Sequence, residues 1–168
     1  MVNEINGLPA HILLVHAVVI LIPLAALLTV LSAVWPAARR RLGIITPLTA
    51  LVALILVPVA TDAGEWLQAR LRKTPLINAH VDLGGTMLYF AIGLFVAALL
   101  AWAVPTVLTR RSKQPAPPWV GVVVAVIAVA LAGASVVQVV RVGDSGSKAV
   151  WTGNFCPNPV NADGSCPT

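Results

Sequence analysis

The sequence predicts an all-α membrane protein, a bundle of four transmembrane helices with a short interfacial helix on the outer side and an irregular polar tail. Three observations carry that expectation. Apolar residues make up 58% of the 168 residues and charged residues only 10%, against about 45–50% and ~25% in a soluble domain. Charge-free runs recur at 12–35, 43–61, 83–105 and 119–138, each near the ~20 residues that span a hydrocarbon core. Lipid offers a lone strand no backbone partners, so each run must be helical.

The spans are placed at about 11–35, 43–61, 79–104 and 119–140, with residues 141–168 as the tail. Pro9 suits a first helical position, and Pro36 stops the first span. Pro23 is expected to kink it, since proline removes a backbone donor and clashes one turn back. Asp62 and Glu65 have the spacing of a capping pair and mark a short helix over 63–71, lying in the interface. Thr74 and Pro75 read as the cap and first residue of the third span. A Pro-rich turn, 115–118, leads into the fourth, and the Gly-, Asn- and Pro-rich chain from Gly143 onward is expected to be irregular. Gly93, Gly121, Ala125, Ala128 and Ala132 supply the small faces through which helices approach in lipid.

Four spans put both termini on one side. The loops 36–42 and 105–118 hold Arg39, Arg40, Arg41, Arg110, Arg111 and Lys113 with no acid. On the other side Arg70, Arg72, Lys73, Arg141 and Lys148 are interspersed with Glu4, Asp62, Glu65, Asp144 and Asp163. Dense basic loops face the cytoplasm, so both termini are expected outside a bacterial cytoplasmic membrane. Trp35, Trp102 and Trp119 fall at the proposed inner interface, as indole rings prefer. The opening residues contain Glu4 and no Lys or Arg, so the first helix is expected to be retained, not cleaved as a signal peptide. An outer tail would meet oxidising conditions, where Cys156 and Cys166 are expected to form a disulfide.

Polar groups inside a membrane need a reason. His11, His16 and His80 all fall at the outer end, with Asp62, Glu65, Asp82 and Asp144 near them in sequence. At about 1.5 Å per residue, His16 lies ~10 Å into the first helix and His80 ~8 Å into the third. Three readings stay open. Haem b could lie between helices 1 and 3, with His16 and His80 as axial ligands, His11 as an alternative ligand, and the porphyrin pressing on Gly84 and Gly85. Arg70, Arg72, Lys73 or Arg141 would neutralise its propionates. Copper or zinc could instead be held by His11, His16, His80, Asp62, Glu65 and Asp82. Or the histidines hold no cofactor and serve as interfacial anchors and interhelical hydrogen bonds. His11 and His16 point about 140° apart on a helix, so they are poor joint ligands. No CxxCH, P-loop, dinucleotide loop or GxSxG is present. The formal net charge of +5 lies mostly near the membrane, which points to lipid headgroups and away from nucleic acid. The expected partners are the bilayer and a membrane protein or second copy of the chain.

Pro9-Ala10-His11-Ile12-Leu13-Leu14-Val15-His16 resembles the opening of a bacterial membrane family known as domain of unknown function 2231. Asp62-Ala63-Gly64-Glu65-Trp66, Asn78-Ala79-His80 and the closing stretch from Arg141 through Gly143-Asp144-Ser145-Gly146 to Trp151 resemble its later motifs, in an actinobacterial form. Many members have histidine where this chain has Asp144. Some relatives are fused to outward-facing redox domains, which implies a membrane-embedded electron-transfer subunit or anchor. A non-catalytic accessory subunit or scaffold of a larger complex is the alternative.

Overall fold

The computed structural model describes residues 3–112, 117–153 and 155–156. It is all-helical apart from a hairpin at the start, where β1 (Glu4–Ile5) pairs antiparallel with β2 (Leu8–Pro9). Asn6 and Gly7, both at positive φ, make the two-residue turn whose twist suits a hairpin. The Ala10 amide then donates to the Asn3 carbonyl at 2.9 Å, joining the hairpin to the first helix.

That helix, α1 (Ala10–Val34), runs through Pro23 without a break. Pro36 forces Trp35 into an extended conformation, and α2 (Pro36–Leu42) follows, so the loop expected there is a short helix carrying Arg39, Arg40 and Arg41. Gly43, at φ 50°, ends it. α3 (Ile45–Gln68) then continues past Thr61. The separate interfacial helix expected over 63–71 is therefore the end of α3. Asp62 and Glu65 cap nothing, because the preceding turns already supply carbonyls for those amides.

The third span is the one that divides. Thr74 caps α4 (Pro75–Gly85) by accepting from the Ile77 amide, with Pro75 at the first position as expected. The helical ladder then lapses at Thr86, and α5 (Met87–Ser112) follows. Around the break the bonds tighten to three residues, Thr86 N–H to Leu83 O and Tyr89 N–H to Thr86 O. The Thr86 hydroxyl donates to Leu83 O at 2.7 Å and accepts from the buried Gln138 amide at 2.7 Å. α6 (Pro118–Trp151) corrects the tail: helix persists through Gly143 and Gly146 to Trp151. Glycine's cost in helices is offset here because this stretch packs on α4.

Among the described residues four stretches are long and apolar enough to cross a membrane: Ala10–Val34, Ile45–Gln68, Pro75–Leu108 and Pro118–Trp151. α1 packs against α3 and α6, and α5 packs against the same two, with a lesser contact between α1 and α5 across the bundle. Its interior is built from alanine: Ala25, Ala53, Ala91, Ala98, Ala101 and Ala128 are at most 1% exposed. Large side chains such as Ile20, Val122 and Val126 point outward. This distribution suits lipid, where helices gain from close approach and large aliphatics find their solvent outside. Ser32 and Thr46 add an interhelical hydroxyl bond at 2.8 Å, and the Ser135 hydroxyl is shared between the Leu131 carbonyl of its own helix at 2.7 Å and the Phe90 carbonyl of α5 at 3.0 Å.

Ala98→Leu, at a fully buried site, should lower stability by about 1–3 kcal/mol through overpacking. Val126→Leu, on the apolar surface, should be neutral. Unfolding of both variants in detergent checks the contrast.

Candidate functional site

At the end of the bundle that holds the hairpin, two histidines from different helices meet. His11 stands in the first turn of α1 and His80 midway along α4. Their rings are set edge to face, with centroids 6.4 Å apart and planes at 72°. Both side chains are half-buried.

Each ring is held at Nδ1. His11 Nδ1 lies 2.8 Å from the Ala60 carbonyl of α3. A carbonyl only accepts, so this nitrogen carries the proton and donates. His80 Nδ1 lies 2.9 Å from the Ser145 hydroxyl of α6. Where the Ser145 hydroxyl donates to the Val142 carbonyl at 2.8 Å, it accepts from His80 Nδ1–H. In the neutral imidazole, both rings therefore keep the lone pair on Nε2. A metal-ligating histidine is arranged in the same way, with one nitrogen donating to a carbonyl or hydroxyl and the other left bare.

Two glycines make room for these rings. A Cβ on Gly64 of α3 would lie 2.9 Å from the His11 ring, and one on Gly146 of α6 would lie 3.0 Å from the His80 ring. Each histidine thus rests against the helix that holds its Nδ1–H. Four helices contribute: α1 and α4 the imidazoles, α3 and α6 the anchors and bare backbone.

The pair differs from the one expected. His16 is exposed and its Nδ1 bonds to the Ile12 carbonyl of its own helix. The inward face of α1 explains this. Val18, Ile22, Ala25, Thr29 and Ser32 are buried; His11 precedes Val18 by seven residues and shares its face, while His16 precedes it by two and points roughly 200° away. Asp62, Glu65 and Asp82 are exposed too. Among the described residues no three His, Cys, Asp or Glu side chains gather closely enough to hold a metal ion. Gly84 and Gly85 have nothing within 4 Å of a Cβ position and precede the break at Thr86. Gly64, Gly146 and Ser145 received no role from the sequence, although all lie in the segments that carried the family resemblance.

The cations nearby are partly engaged. Arg70 stacks over Trp66 at 3.6 Å and donates to the Trp66 carbonyl. Lys148 pairs with Asp144 at 2.7 Å. Cys156 closes the described chain, and Cys166, its expected partner, lies outside the described residues.

Fold and site together define a polytopic α-helical membrane protein with a histidine pair near one face. Residues 7–155 match the family model described as "Predicted membrane protein (DUF2231)", and the chain belongs to that family. No curated protein matches it, and no solved structure does.

Gly64→Ala and Gly146→Ala should each displace a histidine ring and destabilise the protein. Gly84→Ala, with open space around it, should stabilise by roughly 0.5–1 kcal/mol through helix propensity alone. Thermal unfolding, together with histidine-selective NMR of the Nδ1 protons, separates the two classes.

Proposed function

We propose that this protein is a membrane-embedded electron-transfer subunit or anchor that holds a redox metal centre on His11 and His80. Support comes from the matched tautomers: two imidazoles from different helices, each donating Nδ1–H and each keeping a bare Nε2. The two ring centroids lie 6.4 Å apart.

Haem b agrees best with the number of ligands. It would ask the protein for two imidazoles, which His11 and His80 would supply, whereas zinc usually takes four protein ligands in a structural site and three in a catalytic one. Copper, which accepts imidazole, is the second choice. When bound, such a group supplies one-electron chemistry. The chain's own part is to fix both rings through Ala60 and Ser145, to set the tautomer, and to surround the pair with apolar helices. The alternative is a non-catalytic accessory subunit. It is favoured by α6, the least buried of the spans, whose Val122, Val126, Val137 and Val140 face outward and are available to a neighbouring membrane protein.

The test is a reduced-minus-oxidised visible spectrum of detergent-purified protein expressed with haem supplied. A b-type α-band that vanishes in His11→Ala and in His80→Ala, and survives in His16→Ala, supports the proposal. A flat spectrum and no metal by elemental analysis, from folded protein, overturn it in favour of the accessory role.

For topology we propose that the histidine end faces outward, opposite the Arg39–Arg41 cluster, and that Cys156 and Cys166 pair there. After mild reduction of intact cells, a membrane-impermeant thiol reagent should label Cys156. Without reduction, labelling should be at background. Labelling only after lysis would reverse the orientation.

A further inference from the structure

The buried apolar core falls into two clusters along the bundle. One reaches Ala26 on α1, Ala98 on α5 and Ala132 on α6. The other takes over at Ala33, Ala101 and Ala128 on the same three helices. Between them lies a seam. On α1 it holds Thr29 and Ser32, and Thr46 of α3 is bonded to Ser32. All three hydroxyl residues are at most 1% exposed. The seam is bordered by alanines, so a polar layer with small neighbours crosses an otherwise apolar interior.

The hydroxyls of this layer are incompletely matched. Ser32 and Thr46, 2.8 Å apart, share one bond in which one hydroxyl donates. The hydroxyl that accepts keeps a proton of its own. Thr29 Oγ1 is enclosed and, among the described residues, has no hydrogen-bond partner. Other helical threonines behave differently. Thr49, Thr61 and Thr106 each donate to the carbonyl four residues back, that of Ile45, Val57 and Trp102. Thr29 makes no such bond to Ala25. A buried hydroxyl left unpaired is destabilising, more so in hydrocarbon, where no solvent can reach it.

We propose that the seam binds a water molecule that links the Thr29 hydroxyl to the Ser32–Thr46 pair. Residues three apart on a helix have Cβ atoms about 5–6 Å apart, a gap that one water spans with two bonds of about 2.8 Å. Buried water is held by several polar partners, and three hydroxyls offer it both donors and acceptors. A metal cation fits the layer poorly. No carboxylate lies between Glu4 and Asp62 or between Asp82 and Asp144, and the Arg39 guanidinium already reaches to 3.5 Å from the Ser32 carbonyl. A cation would find like charge and no counter-charge, so the neutral ligand is the one this chemistry selects. Thr29 lies eighteen residues along α1 from His11, about 27 Å, so the water site is independent of what the histidines hold.

The experiment is a double-mutant cycle on the detergent-purified full chain, with Thr29→Val, Ser32→Ala and the two together, read by reversible unfolding. Thr29→Val keeps the shape and removes the hydroxyl. It should lower the folding equilibrium constant by about three- to tenfold, and most of that loss should disappear in the Ser32→Ala background, where the water has already lost a partner. A structure that resolves ordered solvent should also show a water within hydrogen-bond reach of Thr29 Oγ1 and of Ser32 or Thr46. Stabilisation by Thr29→Val would mean a hydroxyl that is orphaned in the native protein. An undiminished loss in the Ser32→Ala background would mean that Thr29 bonds to its own helix. Either result, or a seam without water in that structure, overturns the proposal.

Discussion

The structure depends on close approach between helix backbones. In hydrocarbon a leucine gains nothing by turning inward, so association rests on contact area and on the few interhelical hydrogen bonds. Alanine provides the contact. Ala25, Ala53, Ala91, Ala98, Ala101 and Ala128 have almost no exposure, while isoleucine and valine occupy the outside. Hydroxyl and amide groups, such as Ser32 with Thr46 and Gln138 with Thr86, add direction at defined heights. The histidine pair follows from the same constraint. Gly64 and Gly146 extend the small-residue rule to its limit, replacing a methyl group with the flat face of an imidazole.

Much of the fold was legible because it is dictated by the solvent. Charge-free runs of sufficient length gave the spans, and Thr74-Pro75 gave the cap of α4 correctly. Local signals misled where tertiary packing or helix continuity prevailed. Asp62 and Glu65 have capping spacing, but an uninterrupted α3 leaves no free amides to cap. Gly143 and Gly146 read as a helix end, yet α6 carries on because its last turns pack on α4 and bond to His80. Asn6-Gly7, both at positive φ, form the two-residue turn of the opening hairpin.

The site was half legible. Depth along the helix singled out His16, whereas phase around the helix decides which histidine enters the bundle. The phase was present in the sequence, in the small and polar stripe Ala25, Thr29 and Ser32 that continues back through Val18 to His11. The anchors were harder to find. A backbone carbonyl at Ala60 and a serine sixty-five residues from His80 have no sequence pattern of their own. They become visible only when α3 and α6 are set beside α1 and α4.

The break at Thr86 divides the third span into two mechanical bodies. Helices are stiff because each amide is tied to the turn before it, and that ladder lapses between Gly85 and Met87. The short body, α4, is fastened to α6 through His80 to Ser145, and Gln138 of α6 grips the joint itself. The long body, α5, belongs to the main frame with α3 and α6. The separation of the two imidazoles is gauged by how α6 stands against α1 and α3.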